Sequence, residues 1–198
     1  MALIRSGQVA DFTFQVDGGP ADKLRVASFR GTEEISRPFR FELELASTDG
    51  GVDLRAAIGK PAVLTIAGGD VKRYVHGVVI RMEQLGKSGR FTTYRSVLVP
   101  EIFLLSFRSK SRIFPEKDVK EVVEKVLVDA GIAKDRFKFS LQGSYPKREH
   151  CVQFQESDLD FVSRLLEEEG IFYFFEHTQS GHVMVMADAN GAMTPIPG

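Results

Sequence analysis

Four groupings of residues in this sequence could carry chemistry: the adjacent pair His150-Cys151, the four histidines, the alternating acids Glu156, Asp158 and Asp160, and the run Glu167-Glu168-Glu169. A thiol beside an imidazole suggests a cysteine nucleophile, which needs a base within hydrogen-bond reach to take its proton. Consecutive residues on a strand point to opposite faces, and the pair sits at the start of a strand-like stretch, so the two groups do not meet. No Asn or Asp stands out as the orienting third member. Cys151 therefore reads as a packed core thiol, with a hydrolase using Cys151 and His150 as the alternative. His76, His150, His177 and His182 make no complete metal-ligand set. His177 and His182 can approach across a turn, but two nitrogens are half a site, and exposed turn-flanking histidines are the plainer reading. Neither a metal nor a cofactor is expected.

The acids have a helical explanation. Glu156, Asp158 and Asp160 alternate as calcium ligands do, yet the 12-residue loop with a central glycine is absent and they lead straight into a helical apolar pattern. Negative charge in a first helical turn is favoured by the macrodipole. At the other end of the same helix the dipole disfavours Glu167, Glu168 and Glu169, by about a few tenths of a kcal/mol each. Arg164 lies four residues before Glu168 and three before Glu167, which offsets part of that cost and leaves Glu169 without a local partner. Arg164, Glu167, Glu168 and Glu169 are thus candidate interface residues; a neighbouring chain or plain solvation would satisfy the surplus charge. Arg108, Lys110 and Arg112 form a small basic cluster, while Phe107 and Phe114 read as core and not as a stacking platform for nucleic acid. No phosphate-binding glycine motif is present.

The elements that must position these residues fall into two halves. Over the first hundred residues apolar and polar positions alternate with a period of two, the pattern of a strand with one buried face. Phe39, Phe41, Leu43 and Leu45 against Arg40, Glu42 and Glu44 are the clearest case, and Phe12, Phe14 and Val16 repeat it. Further strands are predicted at Leu24 to Phe29, Ala62 to Ile66, Arg73 to Met82 and Phe91 to Val99, separated by DGGPAD, TDGG, GGD and GKSG turns. Such spacing fits a small barrel or a sandwich, with an open sheet able to recruit strands from another chain. Past Pro100 the period changes. Val119, Val122, Val123, Val126 and Leu127 mark one face of a helix at about 119–130, with Asp118 and Glu121 as a capping box and Gly131 as its stop. After a short strand at Phe137 to Leu141, a second helix at about 158–169 starts at the N-cap Ser157, buries Phe161, Val162, Leu165 and Leu166, and stops at Gly170. The stretches IFYFFE and HVMVMA then form a hairpin around HTQSG, and ANGAMTPIPG reads as a loose end.

Length and charge exclude several classes. A chain of 198 residues with 43 % apolar content is large enough to bury a core without staples. Its net charge of −1, from 26 basic and 27 acidic residues, offers no global field for nucleic acid or an anionic membrane. One cysteine can form no internal disulfide, which suits a reducing compartment. The stretch MALIRSGQVADF has no signal-peptide core, and no window approaches the ~20 apolar residues of a membrane anchor, so the chain is expected to be made and folded in a cytosol, with any export by another route. Lack of tryptophan and inward-facing phenylalanines argue against a carbohydrate-binding module.

Several segments together resemble the N-terminal hub module of the VgrG family, the tip proteins of type VI secretion, related to the tail hub of contractile phages. They are FRGTEEISRPFRFELEL at Phe29 to Leu45, Gly59 with AVLTI, HGVV at His76 to Val79, Tyr94 through Pro100, SRIFPEKDVKEVVEKVL, and REHCVQFQESDLDFVSRLLEEEGIFYFFEH. Pro115 and Phe154 depart from the family's usual Gln and Tyr. The resemblance implies an α+β, mainly β fold: a small tube-protein-like β-barrel hub domain over 1–110, then a helix-containing α/β segment over 111–198 with two helices and a hairpin, incomplete at its C-terminus. It also implies a mechanical role without catalytic residues, as a homotrimer on an Hcp-like tube, attached to baseplate proteins. A spike-tip PAAR protein and effectors would bind through regions this chain does not contain, and delivery would be extracellular or into a target cell. A phage-associated hydrolase built on Cys151 and His150 is the alternative.

Overall fold

A computed structural model of the chain describes residues 11–19, 24–68 and 71–193. The turn residues 20–23 and 69–70 and the last five residues of the expected loose end lie outside the described residues. The chain divides into two compact units: Met1–Thr32, Arg40–Val99 and His177–Gly181 make the first, and Glu33–Phe39, Pro100–Glu176 and His182–Gly198 the second.

The first unit is a six-stranded antiparallel sheet in the order β1-β4-β5-β6-β3-β2. Its strands are β1 (Asp11–Val16), β2 (Arg25–Thr32), β3 (Arg40–Ser47), β4 (Pro61–Gly68), β5 (Val71–Ser88) and β6 (Phe91–Val99). On β3 the alternation is realised as written: Phe41, Leu43 and Leu45 are buried while Arg40, Glu42 and Glu44 are exposed. Strand β5 pairs with β4 through its first half and with β6 through its second, with register shifts after Val79 and after Gln84. A strand shared in this way bends at its bulges and curls the sheet. The two outermost strands then approach each other, with the Phe12 and Phe29 rings edge-to-face at 5.2 Å. The sheet is thus a curled half-barrel, which decides the open choice between barrel and sandwich. Gly77 permits the tight packing of β5 on β6, because a Cβ there would run into the Val99 carbonyl and the Leu98 side chain. Strand β5 runs six residues past the predicted Met82, because hairpin pairing with β6 continues after the hydrophobic pattern stops and turns at Gly89, φ +58°.

The second unit is built on α1 (Val119–Asp129) and α2 (Asp158–Glu168). Both helices follow their sequence signals. Asp118 Oδ1 accepts from the Glu121 N–H at 2.8 Å while the Asp118 N–H donates to Glu121 Oε2 at 3.1 Å, and Ser157 Oγ accepts from the Asp160 N–H at 3.0 Å. Gly131 and Gly170 follow the helix ends at φ +93° and +68°. Their apolar faces, Val122, Val123, Val126 and Leu127 with Phe161, Val162, Leu165 and Leu166, share one core with Phe114, Cys151, Tyr173, Met184 and Met186. Each such side chain contributes about 1.5–3 kcal/mol on burial. Around the helices run an antiparallel ribbon of β7 (Ser109–Lys117) and β9 (Arg148–Ser157) and a sheet in the order β10-β11-β8, made from Phe172–His177, His182–Ala187 and Phe137–Ser140. Strand β8 lies parallel to β11.

The compact units do not divide where 1–110 and 111–198 would. A 3-10 helix at Glu101–Phe107 places Ile102 and Leu105 in the core of the second unit, so that unit starts at Pro100. Glu33–Phe39 also belongs to it, tied by the Ser36 N–H donating to the Tyr173 carbonyl at 2.8 Å. Phe39 is therefore not part of β3; its ring meets Phe175 at 5.1 Å and His182 at 5.8 Å.

Candidate interaction surface

The stretch from Cys151 to Phe175 folds as most of β9, α2 and the start of β10, and its polar residues converge on one buried carboxylate. Asp158 is 0 % exposed. Its Oδ1 accepts from Arg112 Nη2 at 2.6 Å and from Gln153 Nε2 at 2.9 Å, its Oδ2 faces Arg108 Nε at 3.2 Å, and its N–H donates to the Arg108 carbonyl at 2.7 Å. Arg112 Nε completes the ring by donating to Gln153 Oε1 at 2.8 Å. A β-bulge makes this possible. One residue of β7 between Lys110 and Arg112 faces two residues of β9, and Gln155 there takes φ +51°, its N–H held by Ser111 Oγ. Asp158 was legible as a helix-start acid, but its role as the anchor for two arginines was not. Of the cluster Arg108, Lys110 and Arg112, two members are consumed internally, and the three do not form an open basic patch.

On the surface of α2 the surplus acid has a local answer. Arg148 donates to Glu168 at 2.7 Å and to Glu169 at 2.5 Å, so the partner sought for Glu169 lies at the start of β9. Arg164 donates to Glu168 at 2.8 Å and to Glu156 at 2.7 Å. The hydrogen bond from Arg148, and then that from Arg164, hold the Glu168 carboxyl below its usual range, while Glu156 raises the pKa of Arg164. Glu167, three residues after Arg164, is exposed and lines a cleft with Arg37 and Ser163.

The ribbon separates the suspected nucleophile pair. Cys151 is buried under Phe114, which stacks on Phe161 at 5.7 Å, while His150 is exposed. Burial pushes the Cys151 thiol up, away from the thiolate a nucleophile needs. His177 and His182 do not sit as exposed turn residues: His182 is buried between the Phe39 and Phe175 rings, and His177 Nδ1 accepts from the His76 N–H at 3.2 Å. Burial, then the charge of Arg73, lowers His177 to a pKa of about 4. Among the described residues no three His, Cys, Asp or Glu side chains are grouped to hold a metal.

What the second unit leaves open is apolar. The outer face of the ribbon carries Ile113 and Phe154 at 66 % and 68 % exposure, with Val152 directly across from Ile113 at 47 %. Phe107, expected in the core, is 72 % exposed and touches the Phe103 ring, because the 3-10 helix turns its last residue outward. Contiguous exposed apolar side chains of this kind mark interaction surfaces. Sequence reasoning missed this one, because Ile113 stands next to Phe114 and Val152 next to Cys151, so the pattern does not say which of each pair is buried, and on β9 the polar Gln153 takes the inner face while Phe154 points out.

A profile of the phage tail baseplate hub family (GPD) matches residues 32–198. The chain is 43 % identical over 177 residues to the type VI secretion system spike protein VgrG4b of Pseudomonas aeruginosa, covering 89 % of this chain and 22 % of that protein. Over 196 residues it is 32 % identical to the actin cross-linking toxin VgrG1 of Vibrio cholerae, covering 94 % of this chain and 18 % of the toxin. It thus spans about a fifth of the length of these relatives. Among solved structures, the Escherichia coli c3393 protein superposes with a TM-score of 0.84 at 28 % identity, over 92 % of this chain and 51 % of that one. That protein is described as a component of the type VI secretion system similar in structure to bacteriophage T4 tail proteins gp27 and gp5. The VgrG complex with PdpA from Francisella shares the fold, with a TM-score of 0.65 at 10 % identity, over 92 % of this chain and 32 % of its own.

Proposed function

The chain belongs to the phage tail baseplate hub family, and on that premise we propose that it is a structural hub segment in the puncturing tip of a type VI secretion or related contractile injection apparatus. The observation that carries this reading is the extent of the likeness: 89 % of the chain aligns with a spike protein at 43 % identity. The chemistry of the second unit agrees with it. Charged groups are spent on fixing α2 to the ribbon, the thiol is buried, and the exposed face is apolar, as an assembly part requires. In this reading the full-length protein is a homotrimer that sits on an Hcp-like tube and contacts baseplate proteins. It holds a PAAR tip and effectors through regions outside this chain, is assembled in the bacterial cytoplasm and is driven into a target cell. Arg164, Glu168 and Glu169, tied to Arg148 and Glu156, would present a braced charged edge beside those contacts.

Catalysis is not assigned to this chain. The toxin relative shares 94 % of it but only 18 % of its own length, so the shared part need not carry the toxin's activity. The test uses the full-length protein: native mass measurement with tube co-sedimentation is expected to give trimers that pellet with tubes. Strictly monomeric protein without tube affinity overturns the reading, and a hydrolytic activity lost in Cys151→Ala with the fold intact would replace it with the enzyme alternative.

A further inference from the structure

The segment that leaves β11 carries the only asparagine of the chain, Asn190, and a glycine follows it. Both residues are exposed. They open a single 3-10 turn, Asn190–Ala192, held by two backbone bonds: the Ala192 N–H donates to the Ala189 carbonyl at 3.2 Å and the Met193 N–H to the Asn190 carbonyl at 3.1 Å. The Gly191 N–H takes part in neither, as the first N–H groups of a helix have no partner within it. Among the described residues nothing hydrogen-bonds the Asn190 side-chain amide. A Cβ built at Gly191 meets nothing within 4 Å, so the space beside its nitrogen is open. One 3-10 turn has poor hydrogen-bond geometry and opens locally at little cost. Opening frees the rotation at Asn190 that brings the Gly191 nitrogen onto the side-chain carbonyl carbon.

We propose that Asn190-Gly191 is a self-modification site, at which the chain converts its own side-chain amide to a carboxylate through a cyclic imide. Hydroxide takes the Gly191 amide proton, and the nitrogen attacks the Asn190 side-chain carbonyl carbon. The bond to Nδ2 breaks, the departing nitrogen takes a proton from water, and ammonia leaves with hydroxide regenerated. A second water opens the imide at one of its two carbonyls. Opening at the side-chain carbonyl leaves an ordinary aspartate; opening at the main-chain carbonyl leaves an isoaspartate, with one extra methylene in the backbone. Glycine serves the second position because it puts no Cβ beside the attacking nitrogen. The same cyclisation is restrained at Asp49-Gly50, where the Gly51 N–H holds the carboxylate at 2.8 Å and the Tyr94 hydroxyl holds the Asp49 carbonyl at 3.0 Å. Each conversion turns a neutral amide into an anion and takes the net charge from −1 to one unit lower. The new carboxylate stands two positions after Asp188, whose side chain already receives the N–H groups of Gln142 and Gly143 and the Tyr145 hydroxyl. Loss of ammonia makes the change one-way, so it marks the age of the molecule. It does not rest on the assembly reading.

The test is incubation of the folded 198-residue chain at mildly alkaline and mildly acidic pH, followed by peptide mapping and enzymatic methylation of isoaspartate. The expected result is aspartate and isoaspartate together at position 190, forming faster at the alkaline pH because the attacking species is the deprotonated amide. Gly191→Ala fits the turn, since Gly191 lies outside the left-handed region and has room for a Cβ, and it is expected to slow the conversion by about tenfold or more. Asn190→Gln should abolish it, because its longer side chain would have to close a larger ring. Conversion in the urea-unfolded chain but not in the folded one overturns the proposal, since the turn then protects the site. Absence of conversion in both overturns it too. So does aspartate without isoaspartate, or an unchanged rate in Gly191→Ala, because either would mean direct hydrolysis without the imide.

Discussion

Replacing Asp158 tests whether the second unit is held together by its buried charge. In Asp158→Ala, Arg112 loses a bond of 2.6 Å, Gln153 one of 2.9 Å and Arg108 its 3.2 Å contact. Taking one partner from a buried ion pair costs about 3–5 kcal/mol, mostly because the remaining charge is left without compensation. The arginines are not fully buried, with side chains 31 % exposed at Arg108 and 18 % at Arg112, so water recovers part of that loss and the lower end applies. A further few tenths come from removing an anion at the N-terminus of α2. The expected loss is about 3 kcal/mol, a large share of the 5–15 kcal/mol typical of a folded chain. For a chain of this size that lowers the melting temperature by about 6–12 °C. Asp158→Asn keeps an acceptor for Arg112 and should lose about half as much. Urea denaturation followed by circular dichroism, with amide exchange of α2 and β9 to assign the loss to the second unit, measures both variants. A shift of less than about 0.5 kcal/mol for Asp158→Ala, the range of an ordinary surface change, refutes the account.

Three further outcomes follow from other groups. His177 has a folded pKa of about 4 against an ordinary 6.5, so its neutral form is favoured in the fold; stability is complete above about pH 6.5, falls as the unfolded chain takes up the proton, and levels near pH 4. The full shift corresponds to at most about 3 kcal/mol, and His177→Gln should flatten denaturation midpoints over that window. Cys151, buried with its thiol pushed up, should resist iodoacetamide in native protein at pH 8 and react at once in urea; rapid native alkylation would contradict its placement. Phe154→Ser, at a position 68 % exposed, should change stability by less than about 0.5 kcal/mol while reducing association of the full-length protein in sedimentation.

Much of the fold could be read from the residues, because local rules and tertiary packing agree there. The period-two run at Phe41 to Leu45, the capping box at Asp118 and Glu121 and the glycine stops at Gly131 and Gly170 each rest on interactions within a few residues, and each appears where expected. The misses depend on long-range placement. Phe39 fits the β3 alternation but packs with Phe175 and His182, more than a hundred residues away. Phe107 and Phe114 look alike in sequence, yet one ends a 3-10 helix in solvent and the other stacks on Phe161. The partner of Glu169 lay at Arg148, 21 positions earlier, beyond the i, i+4 reach that a helical reading inspects. Asp158 carried two explanations at once: an acid in the first turn of α2 is accounted for by its position alone, so nothing in the sequence required the second role with Arg108 and Arg112.

That second role bears on the assembly reading. A two-stranded ribbon is marginal by itself, and its register would be free to slip with the outer face bare. Here the bulge opposite Ser111 and the ring of Arg112, Gln153 and Asp158 pin β7 and β9 to the first turn of α2, while Arg148 at the start of β9 holds Glu168 and Glu169 at the far end of that helix and Arg164 links Glu168 back to Glu156. Buried ionic groups add less to stability than to the choice of one arrangement over its neighbours, and replacing them with apolar residues is often neutral or better. A sequence selected for stability alone would have little use for an arginine-carboxylate ring beside a row of exposed Ile113, Val152 and Phe154. Where that row must meet another chain in one register, the ring makes sense. Replacing Arg112 and Asp158 together with apolar residues should then restore stability relative to Asp158→Ala and still weaken assembly; recovery of both would reduce the ring to a structural support.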